Sequence, residues 1–196
     1  MPVINLSANI IMDNNTITTE TQQWLTDVIV GLNLCPFAKR VVLADTIRLT
    51  VSESMTAEQL LEEFVAEIEL LENTDIEHLE TTLLIIPKML AGFDEYNQFL
   101  DLIDELLLQF NWQGIFQIAS FHPRYCFAGA NPDDRENLTN QSPYPILHIL
   151  REHSVEKAIA HYPDVDTIPE QNIKRVEELS NQQKQQLFPY LFVIDS

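Results

Sequence analysis

Side chains that can transfer protons or hold a charged ligand are concentrated in one segment of the sequence, Phe121–Glu152. Within it, His122 is the best candidate for a general acid or base, because an imidazole titrates near neutral pH. The same side chain can instead hydrogen-bond the carbonyls of a loop, and its position in the sequence favours neither role. Both roles stay open at the level of the sequence.

Basic residues in and near this segment indicate a site for a small anion. Arg124 and Arg151 lie inside it, and Lys88 follows an apolar run earlier in the chain. Arginine binds carboxylates and phosphates through a fork of N–H donors. We predict that the two arginines hold a small anionic ligand, with Lys88 as a further contact. The alternative is that they brace the loop by pairing with its carboxylates, which are Asp133, Asp134, Glu136 and Glu152.

Three further polar residues are candidate ligand contacts, namely His148, Asn137 and Asn140. A helix predicted over Pro145–Glu152 would place His148 and Arg151 on one face, because residues three apart are neighbours on a helix. Asparagine in such a segment also hydrogen-bonds turns and caps helices. These residues are therefore predicted contacts whose alternative role is to support the loop.

No metal site is predicted, and the sequence identifies no cofactor. The only local pair of zinc-binding side chains, His122 and Cys126, lacks the spacing of a closed zinc site. The adjacent Asp133 and Asp134 could hold a hard cation such as Mg²⁺, but paired acidic residues are also frequent in ordinary turns. There is no phosphate-binding glycine loop and no dinucleotide-binding turn.

Cys35 precedes Pro36, a residue type favoured at the first position of a helix. A thiol at the N-cap of such a helix would feel the positive end of its dipole, and its pKa would be lowered. Lys39 and Arg40 would add to this effect. A reactive thiolate could serve as a nucleophile or in redox chemistry. The alternative is a buried cysteine that packs as a small hydrophobic residue.

Hydrophobic periodicity predicts the helices and strands that position these residues. Helices are predicted over about 20–32, 60–71, 93–110 and 145–152, from about 154, and over 169–187. Strands are predicted over 46–51, 82–86 and 115–120, with an edge strand at 191–194. Strands that alternate with helices favour βαβ crossovers. The predicted fold is therefore α/β, with a small, mainly parallel sheet of three to four strands, flanking helices and a helical C-terminal part.

This fold would bring the candidate residues to one edge of the sheet. Sites in parallel sheets form beyond the carboxyl ends of the strands. The third predicted strand leads directly into His122 and Arg124, and the second leads into Lys88. We expect Cys35 and His122 to approach each other at this edge, as nucleophile and acid/base.

Composition restricts the class of protein. The 196 residues, 45% of them hydrophobic, suit a single α/β domain over residues 18–196 after a loose leader, 1–17. A formal net charge of −19 argues against binding to nucleic acids or anionic membranes. Two cysteines are too few for a disulfide framework, and no apolar run reaches the length of a membrane span. We predict a cytoplasmic protein, and the sequence does not indicate its oligomeric state.

Several segments together resemble an uncharacterised bacterial family, domain of unknown function 1415. They are G-L-N-L-C-P-F-A from Gly31 to Ala38, F-H-P-R-Y-C-F-A-G from Phe121 to Gly129, P-D-D-R-E-N-L-T-N-Q-S-P-Y-P-I-L-H-I-L-R-E from Pro132 to Glu152, and I-P-E-Q-N-I from Ile168 to Ile173. The resemblance runs from about Thr19 to the last predicted helix. It implies a boundary for the domain and no reaction, because the family has no assigned activity.

Three functions fit these residues. The leading hypothesis is a small cytoplasmic enzyme acting on a small anionic metabolite, with Cys35 and His122 as catalytic residues and Arg124 and Arg151 as ligand contacts. The alternative is a non-catalytic module that binds a metabolite or a protein. The third is a redox role for Cys35 alone. The sequence does not decide whether the chain is an enzyme, or name its substrate or reaction.

Overall fold

The structure, a computed structural model, describes residues 13–160 and 162–192. Four strands of this part of the chain form one sheet in the order β1-β2-β4-β3. They are β1 (Ile47–Val51), β2 (Thr81–Ile85), β3 (Phe116–Phe121) and β4 (Ile146–Arg151). β1 and β2 pair in parallel, whereas β4 is antiparallel to both β2 and β3. Three strands therefore run in one direction, and β4 lies between two of them in the opposite direction.

The sheet is mixed, so the prediction of a mainly parallel sheet is wrong. The cause is the segment 145–152, predicted as a helix, most of which forms β4. Helices cover both faces of the sheet, so this strand carries apolar side chains on both sides and lacks the alternation of a half-buried strand. Short apolar runs of this kind fit a helix and a buried strand equally well.

One face of the sheet is covered by two long helices, α3 (Ala57–Glu72) and α4 (Phe93–Gln109). Both helices are confirmed, as are the three strands predicted before them, between them and after them. Each helix presents a one-sided apolar stripe, and burying such a side chain stabilises the fold by about 1.5–3 kcal/mol. The core on this α3–α4 face includes Leu60, Phe64, Ile68, Tyr96, Phe99, Ile103, Leu84, Leu147 and Ile149.

The other face of the sheet is covered by shorter helices and loops, and we call it the cavity face. Its helices are α1 (Asn14–Trp24), α2 (Ala38–Ala44), α5 (Glu152–Ala160) and α6 (Ile168–Glu177). Side chains of a strand alternate between the two faces, so in β2 Leu84 joins the α3–α4 core and Leu83 joins the core on the cavity face. Residue parity along each strand therefore decides which face a candidate residue reaches.

The first helix begins earlier than predicted and ends in an unusual turn. It starts at Asn14 and continues after Trp24 as a π-helix, Leu25–Val30. The Gly31 N–H donates to the Thr26 carbonyl at 2.9 Å, the i to i−5 bond of a π-turn. A Cβ on Gly31 would lie 2.2 Å from the Asp27 carbonyl oxygen. Only glycine fits at this position, which explains why glycine begins the first segment of the family resemblance.

The two ends of the chain differ from the prediction in detail. Of the predicted leader, residues 1–12 lie outside the described residues, and Ile17 is a buried residue of α1. The helix predicted over 169–187 is two helices, α6 and α7 (Asn181–Leu187), and Ser180 begins α7 with a capping box. Pro189–Phe192 forms a short 3-10 helix where the edge strand was predicted, and residues 193–194 of that strand lie outside the described residues.

Candidate functional site

The segment Phe121–Glu152 does not gather its basic residues at one place. The pairing of β3 with β4 sets Arg151 opposite Phe116, at the start of β3, and Ile146 opposite Phe121, at its end. Arg124 follows the end of β3, so the two arginines lie at opposite edges of the sheet. At about 3.3 Å per residue, the length of β3 separates them by roughly 17 Å. The predicted anion pocket between Arg124 and Arg151 is therefore wrong, because β4 runs antiparallel.

Arg151 braces the fold. Its guanidinium donates to the backbone carbonyls of Leu71, Thr74 and Leu79, at 2.5, 2.9 and 3.2 Å. Two of these carbonyls belong to the end of α3 and the turn after it, where a helix leaves its last carbonyls without partners. Burial lowers the pKa of this guanidinium. Arg151 therefore has the alternative role given for the arginines, which is to brace the loop. Its partners are backbone carbonyls, whereas carboxylates were expected.

His122 has a structural environment on the α3–α4 face. Its side chain is fully buried against the rings of Phe93 and Tyr96. Nδ1 accepts from the Arg124 backbone N–H at 2.9 Å, so the proton lies on Nε2, which donates to the Leu90 carbonyl at 3.0 Å. Burial, and to a smaller degree the charge of Arg124, lowers the pKa of this imidazole, and the Leu90 bond opposes that effect. Both nitrogens are engaged, so the loop-bracing role fits and the acid/base role does not.

Two other predicted ligand contacts also stabilise loops. Lys88 forms an ion pair with Glu53 on the surface, beyond the ends of β2 and β1. This interaction holds the pKa of the Glu53 carboxyl below its usual range. Asn137 is fully buried: its Oδ1 accepts from the Phe127 N–H at 3.0 Å, and its Nδ2 donates to the Asn131 carbonyl at 2.8 Å. Its amide shapes the loop and faces no ligand site.

On the cavity face of the sheet lies a cavity of about 570 Å³, which we call the sheet cavity. Its floor is the sheet itself, at Leu83, Ala119, Phe121 and His148. Its walls come from α1 and the π-helix, the loop that holds Cys35, and helices α2, α5 and α6. Folded interiors hold few voids larger than a water molecule, whereas small-molecule sites span about 300–1,000 Å³. The size and the apolar walls of the cavity are those of a ligand site.

His148 is the central polar side chain of the cavity floor. Thr81 Oγ1 lies 2.5 Å from the Ile149 carbonyl and 2.8 Å from His148 Nε2. A carbonyl only accepts, so the single hydroxyl proton of Thr81 goes to Ile149, and the hydroxyl oxygen accepts from His148 Nε2–H. Burial lowers the pKa of the imidazole to about 4, so it is neutral near pH 7. Nδ1 is then an unprotonated acceptor, and no described residue donates to it.

Cys35 lines the same cavity, on the opposite side of the sheet from His122. The predicted Cys35–His122 dyad is therefore wrong, because the sheet lies between the two side chains. Burial raises the pKa of the Cys35 thiol, and the N–H groups of Phe37 and Ala38 offset this only in part. The prediction of a lowered pKa is also wrong, since α2 begins at Ala38 and the thiol packs against the core. A raised pKa counts against a reactive thiolate.

The cavity has a polar group at each end of its floor. At the end near the start of β2, Arg40 and Glu80 form an ion pair, and Ser154 Oγ is buried with no hydrogen-bond partner among the described residues. At the other end, Asn140 donates to the Ser120 carbonyl at 3.2 Å while its side chain lines the wall. Of the residues predicted as ligand contacts, His148, Asn140 and Arg151 line the cavity, although the guanidinium of Arg151 is engaged with backbone carbonyls.

Few features of the sequence indicated this site. Thr81 and Ala119 carry no motif, and Trp24 reads as an ordinary core residue of an amphipathic helix. One usable signal was the polar His148 within the otherwise apolar run Ile146–Leu150, because a buried imidazole needs a hydrogen-bond partner. In residues 13–160 and 162–192, no three histidine, cysteine or carboxylate side chains are grouped as metal ligands. No helix in these ranges is long and apolar enough to cross a membrane.

The fold and the site define an α/β protein with a mixed four-stranded sheet and an apolar cavity on one face. The chain belongs to a family described as "Protein of unknown function (DUF1415)", whose model matches residues 16–186. This confirms the resemblance drawn from the sequence segments. No curated protein and no solved structure significantly matches the chain.

Proposed function

We propose that this protein binds a small, largely apolar organic molecule in the sheet cavity, with His148 as the principal polar contact. The observation that carries the proposal is the imidazole of His148, which lines an apolar cavity with Nε2 engaged by Thr81 and with Nδ1 receiving no hydrogen bond from the described residues. When a ligand fills the cavity, this acceptor loses contact with water, and polar atoms buried in this way are almost always hydrogen-bonded. A ligand donor at this position would complete the arrangement.

The nature of the cavity does not favour the anionic metabolite predicted from the sequence. The Arg124 backbone and the Arg151 guanidinium brace loops at opposite edges of the sheet, and Lys88 pairs with Glu53. Two guanidinium groups line the cavity: Arg40 already pairs with Glu80, and Arg151 donates to backbone carbonyls. The walls are mostly hydrocarbon, which favours ligands that lose little hydration on entry.

Catalysis in the same cavity is the second candidate function. An unprotonated imidazole nitrogen that faces a water-poor site can accept a proton from a bound molecule, as a general base does. His148, and not His122, would hold that role. Cys35 would be a neighbouring cavity contact, since its raised pKa disfavours the thiolate.

Two free cysteines in the described chain support the cytoplasmic location proposed from the sequence.

The binding proposal is tested with N-phenyl-1-naphthylamine, a neutral dye whose fluorescence rises in apolar surroundings. We expect saturable binding to one site in the wild-type protein. Ala119→Leu would place a larger side chain on the cavity floor and weaken dye binding at least tenfold. Ala44→Leu, the same change at an exposed position of α2, is the matched control and should bind like the wild type.

Three results would reject the binding proposal. The first is the absence of saturable dye binding by the wild-type protein. The second is unchanged affinity in Ala119→Leu when its circular dichroism and melting temperature show an intact fold. Loss of binding in the Ala44→Leu control would show that the dye does not report on the cavity, and would count against the proposal in the same way.

A further inference from the structure

The hydrogen bonds around His148 restrict the chemistry of the ligand beyond its size and polarity. Thr81 supplies one hydroxyl proton and gives it to the Ile149 carbonyl, 2.5 Å away. Its oxygen can therefore only accept from His148 Nε2, at 2.8 Å. This contact fixes the proton of the neutral imidazole on Nε2. His148 consequently faces the cavity with a lone pair and never with an N–H, as long as the Thr81 contact holds.

We infer, on the basis of the proposed function, that the ligand of the sheet cavity is a neutral molecule that donates a hydrogen bond from a hydroxyl or N–H group to Nδ1 of His148. A carboxylate or a phosphate offers this atom only lone pairs, so it would place acceptor against acceptor. Two carboxylates, Glu80 and Glu136, and two guanidinium groups, Arg40 and Arg151, line the cavity, so its side chains supply no excess positive charge to attract an anion. Phenols, alcohols and secondary amides are neutral and carry a hydroxyl or N–H donor, so they are the classes of ligand that we expect.

Cationic donors fit the cavity less well than neutral ones. An ammonium group would have to leave water for a mostly hydrocarbon space, which is far more costly than the transfer of a hydroxyl. Of the two carboxylates that line the cavity, Glu80 is already paired with Arg40. A neutral donor pays a small desolvation penalty and recovers it in one hydrogen bond to His148.

The inference is tested with three probes on one ring system: 2-naphthol, 2-methoxynaphthalene and 2-naphthoate. Each competes with bound N-phenyl-1-naphthylamine at pH 7.5, where the naphthol is neutral and the naphthoate is an anion. We expect 2-naphthol to bind about tenfold more tightly than its methyl ether, in the range of one buried hydrogen bond. The naphthoate should bind more weakly than either.

Variants of His148 and Thr81 separate the hydrogen bond from the shape of the probes. His148→Leu removes the acceptor, so the naphthol and its ether should bind with similar affinity. Thr81→Val removes the acceptor that holds the proton on Nε2, so the preference for the naphthol should shrink, whereas Thr81→Ser, which keeps the hydroxyl, should retain it. The readout is the ratio of two affinities in the same protein, which a general loss of stability does not change.

The possible outcomes separate this inference from the proposed function. If the dye itself does not bind, the proposed function fails. If the dye binds but 2-naphthol does not displace it, or binds no better than the ether, the cavity binds ligands and the inference about their chemistry is wrong. Tighter binding of 2-naphthoate, or a naphthol preference that survives in His148→Leu, would overturn it as well.

Discussion

His148 should make the stability of this protein fall as the pH drops from 7 to 5. Burial lowers the pKa of this imidazole from its ordinary 6.5 to about 4. The unfolded chain therefore binds the His148 proton more tightly than the folded protein does, and protonation favours unfolding. The contribution of neutral His148 to stability is complete above pH 6.5 and is lost progressively as the pH falls toward 4.

The size of this effect follows from the difference in proton affinity. Each tenfold difference in proton affinity between the unfolded and the folded protein corresponds to about 1.4 kcal/mol. Between pH 7 and pH 5, the imidazole in the unfolded chain passes through most of its titration. His148 should therefore lower the free energy of unfolding by about 2 kcal/mol between pH 7 and pH 5. His122 and the carboxylates also add pH dependence, so the effect has to be measured as a difference between two proteins.

The assay is urea unfolding followed by tryptophan fluorescence, since Trp24 and Trp112 are both buried. The wild-type protein and His148→Gln are compared at pH 7 and pH 5. Glutamine can still donate to Thr81 but does not titrate, so the variant should lose about 2 kcal/mol less than the wild type over this interval. An equal loss of stability in both proteins would refute the burial and the pKa assigned to His148.

Three further predictions concern residues around the site. His122→Phe should lower the free energy of unfolding by about 2–4 kcal/mol, because the Leu90 carbonyl and the Arg124 N–H lose their partner. Dye binding, measured at a temperature where this variant is folded, should be unchanged. Loss of dye binding by the folded variant would show that His122 belongs to the ligand site. Gly31→Ala should lower stability by about 1–3 kcal/mol, since its Cβ would meet the Asp27 carbonyl, whereas Gly92→Ala has room and serves as the control in the same melting experiment. Cys35 should react with iodoacetamide more slowly than a small free thiol at pH 8, because burial raises its pKa. Reaction faster than the free thiol would contradict the environment described for it.

Local patterns in the sequence were sufficient for the elements with one buried side. The helices α3 and α4 show apolar stripes at helical spacing, so periodicity alone located them. β2 is buried on both faces and was located by the length of its apolar run and by Pro87 at its end. β4 has two buried sides and no such pattern. Its place between β2 and β3 depends on pairing with strands far away in the sequence, which local spacing does not encode.

The grouping of residues in the candidate site also depends on long-range pairing that local sequence patterns do not encode. His122 and His148 are of one residue type and lie in one segment, yet they reach opposite faces of the sheet. The face depends on the direction and register of β4, which the sequence did not give. The cavity depends further on α5 and α6, whose walls are brought over the sheet only in the folded chain. Residue types could therefore be selected from the sequence, but not their grouping.

The position of β4 also bears on how the chain folds. β3 makes its sheet contacts through β4, and β4 is the last of the four strands in sequence. The sheet therefore forms only by closing long loops, a feature that slows folding. During synthesis, β2 has an unpaired edge and β3 has no partner strand until residues 146–151 have been made. A chain that ends before Ile146 would expose that edge, and exposed strand edges promote aggregation. Completion of the sheet, and of the cavity on it, is thus tied to the last third of the chain.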